Sequence, residues 1–267
     1  MTAPPEIDPL TGKTLAPAIA AATLVIFRDR PGNIPPNILM VERSAKMAFA
    51  AGAAVFPGGR VDPADFAYAE VLGFADVPEF AARIAAVREA IEETGIAVAL
   101  DGDLAPERLQ KARAALHDGA DLRQVCESFQ WQLDLEALIP FARWCPPFAE
   151  SRRFDTRFYL ARHDDHGAEA LVDATENYNL FWNSAQGVID RAAAGEVKII
   201  FPTARNLDRL AQYNDFAAAR ADALRYPVET VAPFVEERDG VKHLCIPDHL
   251  GYPVTSEPFG RALRGSE

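Results

Sequence analysis

The stretch Arg88-Glu89-Ala90-Ile91-Glu92-Glu93-Thr94-Gly95-Ile96 decides both the local fold and the chemistry of this chain. On a helix, Glu89, Glu92 and Glu93 fall at i, i+3 and i+4, so three carboxylates share one face while Ile84, Val87 and Ile91 form an apolar stripe elsewhere. Like charges at that spacing repel, and hard divalent cations take oxygen ligands of this kind. Glutamate is also a good helix former, and charge runs are usually solvated faces. The full pattern R-E-x-x-E-E-x-G weighs against that bland explanation, since ordinary residue usage gives a chance match odds of about 2 in 10,000.

Outward from this helix, Asp76 is a candidate N-cap, Glu79 three residues later completes a capping-box-like pair, Pro78 is tolerable in the first turn and Gly95 is a stop. Upstream, Ala20 to Phe27 and Asn37 to Val41 are strand-like runs separated by Pro- and Gly-containing sequence. Downstream, helices are predicted over 106–117 and 121–129, strands over Leu138 to Trp144, Phe154 to Ala161 and Tyr178 to Trp182, and a helix over 184–194. A further helix over about 203–220 is expected to start after Pro202 with Thr203 as its cap, and Val235 to Ile246 reads as a hairpin around Asp239-Gly240. Residues 1–16 read as a flexible tail. The order predicts an α+β fold with a mixed sheet: a main domain over 17–220 with a helical insert at about 103–136, and a C-terminal hairpin extension over 221–267 packed on it.

A formal net charge of −12 repels polyanions and speaks against nucleic-acid binding, so any phosphorylated substrate needs local cations. Arg152, Arg153 and Arg157 are the candidate supply. Alternation puts Arg153 and Arg157 on one face of their strand with Asp155 between them, so an Arg–Asp structural pair is the competing explanation. Cys126, Cys145 and Cys245 are far apart with no CxxC pair, which points to a reducing cytoplasm. The N-terminus lacks the features of a secretory signal, and the apolar runs Ala18 to Phe27 and Met47 to Pro57 are too short to span a bilayer. A homodimer is compatible with the composition.

Two ligand-rich segments carry little. His243-Leu-Cys245-Ile-Pro-Asp248-His249 is explained by alternation on a hairpin strand and matches no zinc spacing, and His163-Asp164-Asp165-His166 before Gly167 reads as a solvated turn. The P-loop lysine motif and GxGxxG are both missing.

RExxEExG followed by an aliphatic residue resembles the core of the Nudix box, and Phe56-Pro57-Gly58-Gly59 resembles the glycine-containing loop that opens it. The standard box sets its glycine fourteen residues before the arginine and a glutamate eight before it. Here Gly59 lies 29 residues before Arg88, so about 15 residues are inserted, and the position eight before Arg88 is Phe80, with Glu79 beside it. The insertion is expected to form a loop or short helix beside an unbroken helix from about 78 to 94. The run Val55 to Asp62, the interrupted box, Leu138 to Trp144 and Arg152 to Phe158 resemble the peroxisomal acyl-coenzyme A diphosphatase branch and its bacterial relatives, over about residues 20–215.

The resemblance implies a Nudix fold, an α/β/α sandwich around a mixed sheet. It implies that Glu89, Glu92 and Glu93 bind Mg²⁺ or Mn²⁺, with Glu89 a ligand or the base, and that Arg88 orients the carboxylates. Gly58 and Gly59 would shape the loop, Glu176 or its rival Glu150 would add an acidic group, and the arginines 152, 153 and 157 would meet substrate anions. The implied activity is hydrolysis of a small-molecule diphosphate, with coenzyme A or acyl-coenzyme A favoured. A nucleoside diphosphate sugar or dinucleotide pyrophosphatase is the nearest alternative, and a catalytically silent binding or regulatory module is the alternative of another class.

Overall fold

The computed structural model describes residues 6–32, 34–43, 52–148, 152–163 and 177–262. In chain order the first half holds strands β1 (Ile19–Arg28), β2 (Asn37–Arg43), β3 (Ala54–Val55) and β4 (Gly58–Arg60), helices α1 (Pro63–Val71) and α2 (Val77–Thr94), β5 (Leu100–Asp101), α3 (Pro106–His117), α4 (Leu122–Phe129) and β6 (Gln132–Leu133). There follow β7 (Ile139–Trp144), β8 (Phe154–Arg162), β9 (Asn177–Asn183), α5 (Ala185–Ala193), α6 (Phe201–Leu210), α7 (Phe216–Ala223), β10 (Thr230–Val231), β11 (Phe234–Arg238), β12 (Val241–Cys245), β13 (Ser256–Pro258) and α8 (Phe259–Ala262).

The main sheet runs β10-β7-β8-β1-β2-β3, with β4 also on β1 and β9 also on β2. The β1–β8 and β10–β7 pairs are parallel and the rest antiparallel, which makes the sheet mixed. Strand β1 shows how the sequence dictates this: successive side chains point to opposite faces, and both faces are apolar. Ala22, Leu24 and Ile26 enter one core with α1 to α4, whereas Val25 and Phe27 enter a second core with α5 to α7. Helices therefore cover both faces, giving the expected α/β/α sandwich. Leu244, Ile246, Leu250, Tyr252 and Ala262 from the C-terminal segment join the second core, and the Tyr252 hydroxyl links Trp144 Nε1 to Asn206 Oδ1 at 3.0 Å on each side.

Helix α2 lies on the first face of the sheet. Asp76 Oδ1 accepts from Glu79 N at 3.2 Å, Pro78 sits in the first turn, and Gly95 ends the helix at φ 70°, a left-handed conformation that glycine adopts without steric cost. Ile84, Val87 and Ile91 are fully buried, each contributing about 1.5–3 kcal/mol of transfer free energy. The inserted residues form the later part of α1, a short connection and the start of α2, and α2 is continuous from 77 to 94.

Four expectations need correction. Glu79 does not complete a capping box: its carboxylate pairs instead with Arg83 at 3.1 Å and Arg157 at 3.2 Å, charged partners that win over a backbone N–H. The helix expected at 203–220 is two helices, with Thr203 buried inside α6 and Ile200 in the capping position, because Pro202 needs no N–H partner in a first turn. Asp215 breaks the run by capping α7, its Oδ1 accepting from Ala218 N at 2.7 Å. Residues 6–16, expected as tail, form an ordered turn built on Asp8, which is 3% exposed. His163, expected in a solvated turn, is buried and stacks on Trp182 with ring centroids 5.9 Å apart; the rest of that segment lies outside the described residues. The hairpin β11–β12 forms as expected, with Asp239 at φ 51° and Gly240 at φ 75° in its turn.

Candidate active site

The last two turns of α2 face the β4 segment, and the two contribute complementary groups. Glu89, Glu92 and Glu93 do share a face, but it is not a solvated one: the Glu89 and Glu92 side chains are 15% and 21% exposed, and Glu93 is 5% exposed. Packing them beside β4 depends on glycine. A Cβ on Gly59 would fall 2.3 Å from Glu89 Oε1, and one on Gly58 would fall 2.3 Å from the Ala22 carbonyl oxygen. Gly58 N also donates to Glu93 Oε2 at 3.0 Å, which ties the loop to the helix.

Arg88, 6% exposed, organises the cluster with every face of its guanidinium. Nε and Nη2 donate to Asp65 Oδ1 and Oδ2 at 3.2 and 3.0 Å, and Nη2 also donates to the Arg60 carbonyl at 2.8 Å. Nη1 donates to Glu89 Oε1 at 3.0 Å and Glu92 Oε2 at 3.1 Å. Burial works against the Arg88 charge, but the carboxylates more than offset it and raise its pKa.

The carboxylates outnumber their cation. Asp62, Asp65, Glu89 and Glu92 all lie within ion-pair distance of Arg88. Burial pushes the Glu89 carboxyl up to about 8 against the pull of Arg88, and the charges of Glu93 and Glu92 add to the rise. Burial likewise raises Glu92 and Asp65. Among the described residues no three acidic, His or Cys side chains are disposed as a ready-made metal cage, because Glu89 and Glu92 turn to Arg88 and Glu93 to Gly58 N. The donor set is nonetheless what a hard divalent cation requires: buried carboxylate oxygens in excess of positive charge. Arg113 from α3 fixes the end of the helix, donating to the Glu92 and Glu93 carbonyls at 2.8 and 3.0 Å.

Asp65 is the residue that sequence reasoning missed. Counting back eight positions from Arg88 leads to Phe80 and Glu79, because nothing in the sequence marks where the insertion lies. Counting forward six from Gly59, the spacing the standard box prescribes, lands on Asp65, so the insertion falls between Asp65 and Arg88. Phe80 instead stacks on Phe74, with ring centroids 3.6 Å apart.

The basic candidates sit apart from this cluster. Strand register aligns Gly59 with Ala22 and Ala22 with Arg157, so Arg157 is two strand spacings, about 10 Å, from Gly59. Arg157 pairs with Glu79, Arg153 with Glu6, and Arg152 is exposed. Asp155 does make a structural pair, but with Arg143 of β7, at 2.7 and 2.5 Å. Glu150 and Glu176 lie outside the described residues. His249 pairs with Glu229 at 3.2 Å, and Cys126, Cys145 and Cys245 are free thiols.

Comparison with known proteins converges on the same segment. The family model for the NUDT19 Nudix domain matches residues 69–210. Acyl-coenzyme A diphosphatase NUDT19 of Gallus gallus is 26% identical over 308 aligned residues, covering 90% of this chain and 81% of that protein. The Xenopus laevis protein of the same name is 26% identical over 210 residues, covering 53% of this chain and 55% of its own length. A Nudix hydrolase of Alicyclobacillus acidocaldarius, solved by crystallography, superposes with a TM-score of 0.66 at 28% identity, covering 78% of this chain and 97% of that one. With more than half of its length matched by the family model, and with α2 and Arg88 inside that match, this chain belongs to the NUDT19 Nudix domain family of Nudix hydrolases.

Proposed function

We propose that this protein is a metal-dependent diphosphatase that cleaves the diphosphate linkage of coenzyme A or an acyl-coenzyme A. The observation that carries the reading is the buried, over-acidic end of α2, where Glu89, Glu92 and Glu93 crowd around one guanidinium beside two glycines. Glu89, Glu92 and Glu93 would hold the cation, Mg²⁺ or Mn²⁺, with Glu176 the candidate for a further ligand. When bound, such an ion neutralises diphosphate oxygens and acidifies a water.

The chain's own residues supply the rest. Asp65 and the Arg60 carbonyl hold the Arg88 guanidinium in place, so Glu89 and Glu92 would be available to the cation. Glu89, whose carboxylate lies against Gly59, takes the proton of the attacking water at a carboxylate oxygen. Gly58 and Gly59 shape the loop so that it packs against Ala22 and the Glu89 carboxylate, which sets that carboxylate beside the loop. Arg152, Arg153 and Arg157 offer positive charge to the substrate's remaining phosphate in a chain of net charge −12.

The coenzyme A assignment is supported by the activity for which the Gallus gallus and Xenopus laevis relatives are named. Three free cysteines fit a reducing compartment, and we place the protein in the cytoplasm; among the described residues no helix is long and apolar enough to cross a membrane. The test is a panel of diphosphates incubated with Mg²⁺ or Mn²⁺, with products identified by mass. Coenzyme A should give adenosine 3′,5′-bisphosphate and 4′-phosphopantetheine. Brisk cleavage of a nucleotide sugar with none of coenzyme A would move the function to a nucleotide-sugar pyrophosphatase, and no cleavage of any diphosphate would favour a silent binding module.

A further inference from the structure

Arg153 has an unusual environment. It is 7% exposed, and its Nε and Nη1 have no hydrogen-bond partner among the described residues. Its backbone is fixed, the carbonyl accepting from Ile19 N at 2.8 Å at the start of the β1–β8 pair. The remaining nitrogen, Nη2, is in contact with the carboxylate of Glu6, and the Cys145 thiol lies beside the guanidinium. A buried guanidinium with Nε and Nη1 both unpaired is costly, and such groups are rare without a water, ion or ligand to meet them.

The counter-charges on this face differ in origin. Asp155 is met by Arg143 and Arg157 by Glu79, all on the sheet or on α2. Glu6 comes from the N-terminal turn, and its side chain is 67% exposed. That turn is largely self-contained: Asp8 accepts from Leu10 N at 2.8 Å and Thr11 Oγ1 at 2.7 Å, Gly12 N donates to the Asp8 carbonyl at 2.9 Å, and Leu15 N donates to the Glu6 carbonyl at 2.8 Å. Ile7 and Leu10 are 50% and 49% exposed, whereas Asp8 and Leu15 are 3% and 8% exposed, so the turn can stay in place while the exposed Glu6 side chain leaves Arg153.

We infer that Arg153 forms an anion site for a phosphate monoester and that Glu6 is its built-in occupant, so the N-terminal turn competes with the substrate for this arginine. Asp155 senses both Arg153 and Arg157, which places the two guanidinia around one carboxylate on the face that leads toward Gly59. The inference rests on the proposed diphosphatase reading, in which a third phosphate must be accommodated away from the carboxylate cluster.

The test is calorimetric binding of adenosine 3′,5′-bisphosphate and of AMP, which lacks the 3′-phosphate, to the full chain and to Glu6→Gln and Arg153→Lys variants. Glu6→Gln should tighten adenosine 3′,5′-bisphosphate by roughly two- to tenfold and leave AMP within about twofold, since it releases one charge-assisted hydrogen bond from competition. Arg153→Lys, which keeps the charge but loses the fork, should weaken the bisphosphate selectively. Equal affinities for wild type and Glu6→Gln, or equal gains for both nucleotides, would overturn the inference. If the bisphosphate responds as expected while coenzyme A is not hydrolysed, the anion site stands and the diphosphatase reading falls. If coenzyme A is hydrolysed while Glu6→Gln binds the bisphosphate as wild type does, the diphosphatase reading stands and the anion site falls.

Discussion

The two ends of α2 carry similar residues in opposite proportion. Near its start, one carboxylate, Glu79, lies between two guanidinia, Arg83 at 3.1 Å and Arg157 at 3.2 Å, and Arg83 is further tied to the Leu135 carbonyl at 2.7 Å. Near its end, one guanidinium, Arg88, holds Asp65, Glu89 and Glu92 at 3.0–3.1 Å with Asp62 at 3.6 Å, and Glu93 sits close by. With Glu136 3.9 Å from Arg83 as a second carboxylate, the first cluster is electrically balanced and positions the helix on β8. The second keeps negative charge in a partly desolvated pocket, a state that is unfavourable unless something positive visits it. Sequence alone shows acidic and basic residues at both ends; the charge balance after folding distinguishes structure from function.

The sharpest way to break this contrast is to remove charge from the over-acidic end. Glu92→Gln and Glu93→Gln should each lower kcat on the order of 100-fold or more while leaving the melting temperature within a few degrees, because they delete ligands and relieve repulsion without touching the core. Turnover near wild type with both variants would erase the functional side of the comparison.

Asp65 tests whether the arginine needs its buried partner. Asp65→Ala should cost about 3–5 kcal/mol in denaturant unfolding, as expected when one member of a buried, bidentate pair is deleted. Asp62→Asn, at a side chain 56% exposed, should cost under about 1 kcal/mol. Similar losses for the two would show that Arg88 is not anchored through Asp65.

The glycines sharpen the picture further. Gly58→Ala forces its Cβ against the Ala22 backbone at 2.3 Å and should cost about 1–3 kcal/mol of stability. Gly59→Ala meets only the movable end of Glu89, so stability should change by less than about 1 kcal/mol. Its activity should nevertheless fall about tenfold or more, since the Glu89 carboxylate is displaced. At the balanced end, Glu79→Gln should do the reverse, costing about 0.5–1.5 kcal/mol of stability with kcat within about twofold.

The smallest effect concerns Asp155. Burial alone would raise its carboxyl, but the bidentate Arg143 and the charge of Arg157 carry it below the usual value of 3.8. A lowered folded-state pKa contributes stability that is present above 3.8 and fades as pH falls through the depressed value. Asp155→Asn should therefore lower stability at neutral pH and converge on wild type as pH falls below about 4, and a loss that persists undiminished in acid would contradict the pairing.

Much of this was legible in the sequence because it depends on local rules. The spacing of Ile84, Val87 and Ile91, the Asp76 cap and the Gly95 stop define α2, and period-two alternation defines β1. What escaped depends on contacts across the fold. Glu79 exchanged its cap role for Arg157, 78 positions away, and Arg88 chose Asp65 across an insertion of unmarked boundaries. The single helix expected at 203–220 failed for a local reason that was visible, since Asp215 is an N-cap residue in the middle of the run. The ordered turn at 6–16 was hidden because its stability comes from one buried aspartate and not from apolar periodicity.

The most direct measurement is calorimetric titration of the metal-free protein with Mn²⁺, comparing wild type, Glu93→Gln and Glu79→Gln. The unbalanced end of α2 should bind the ion, so Glu93→Gln should weaken Mn²⁺ at least about tenfold while Glu79→Gln binds as wild type does. No saturable Mn²⁺ binding by the wild type, or the same affinity in all three proteins, would contradict the assignment of the carboxylate face as a cation site.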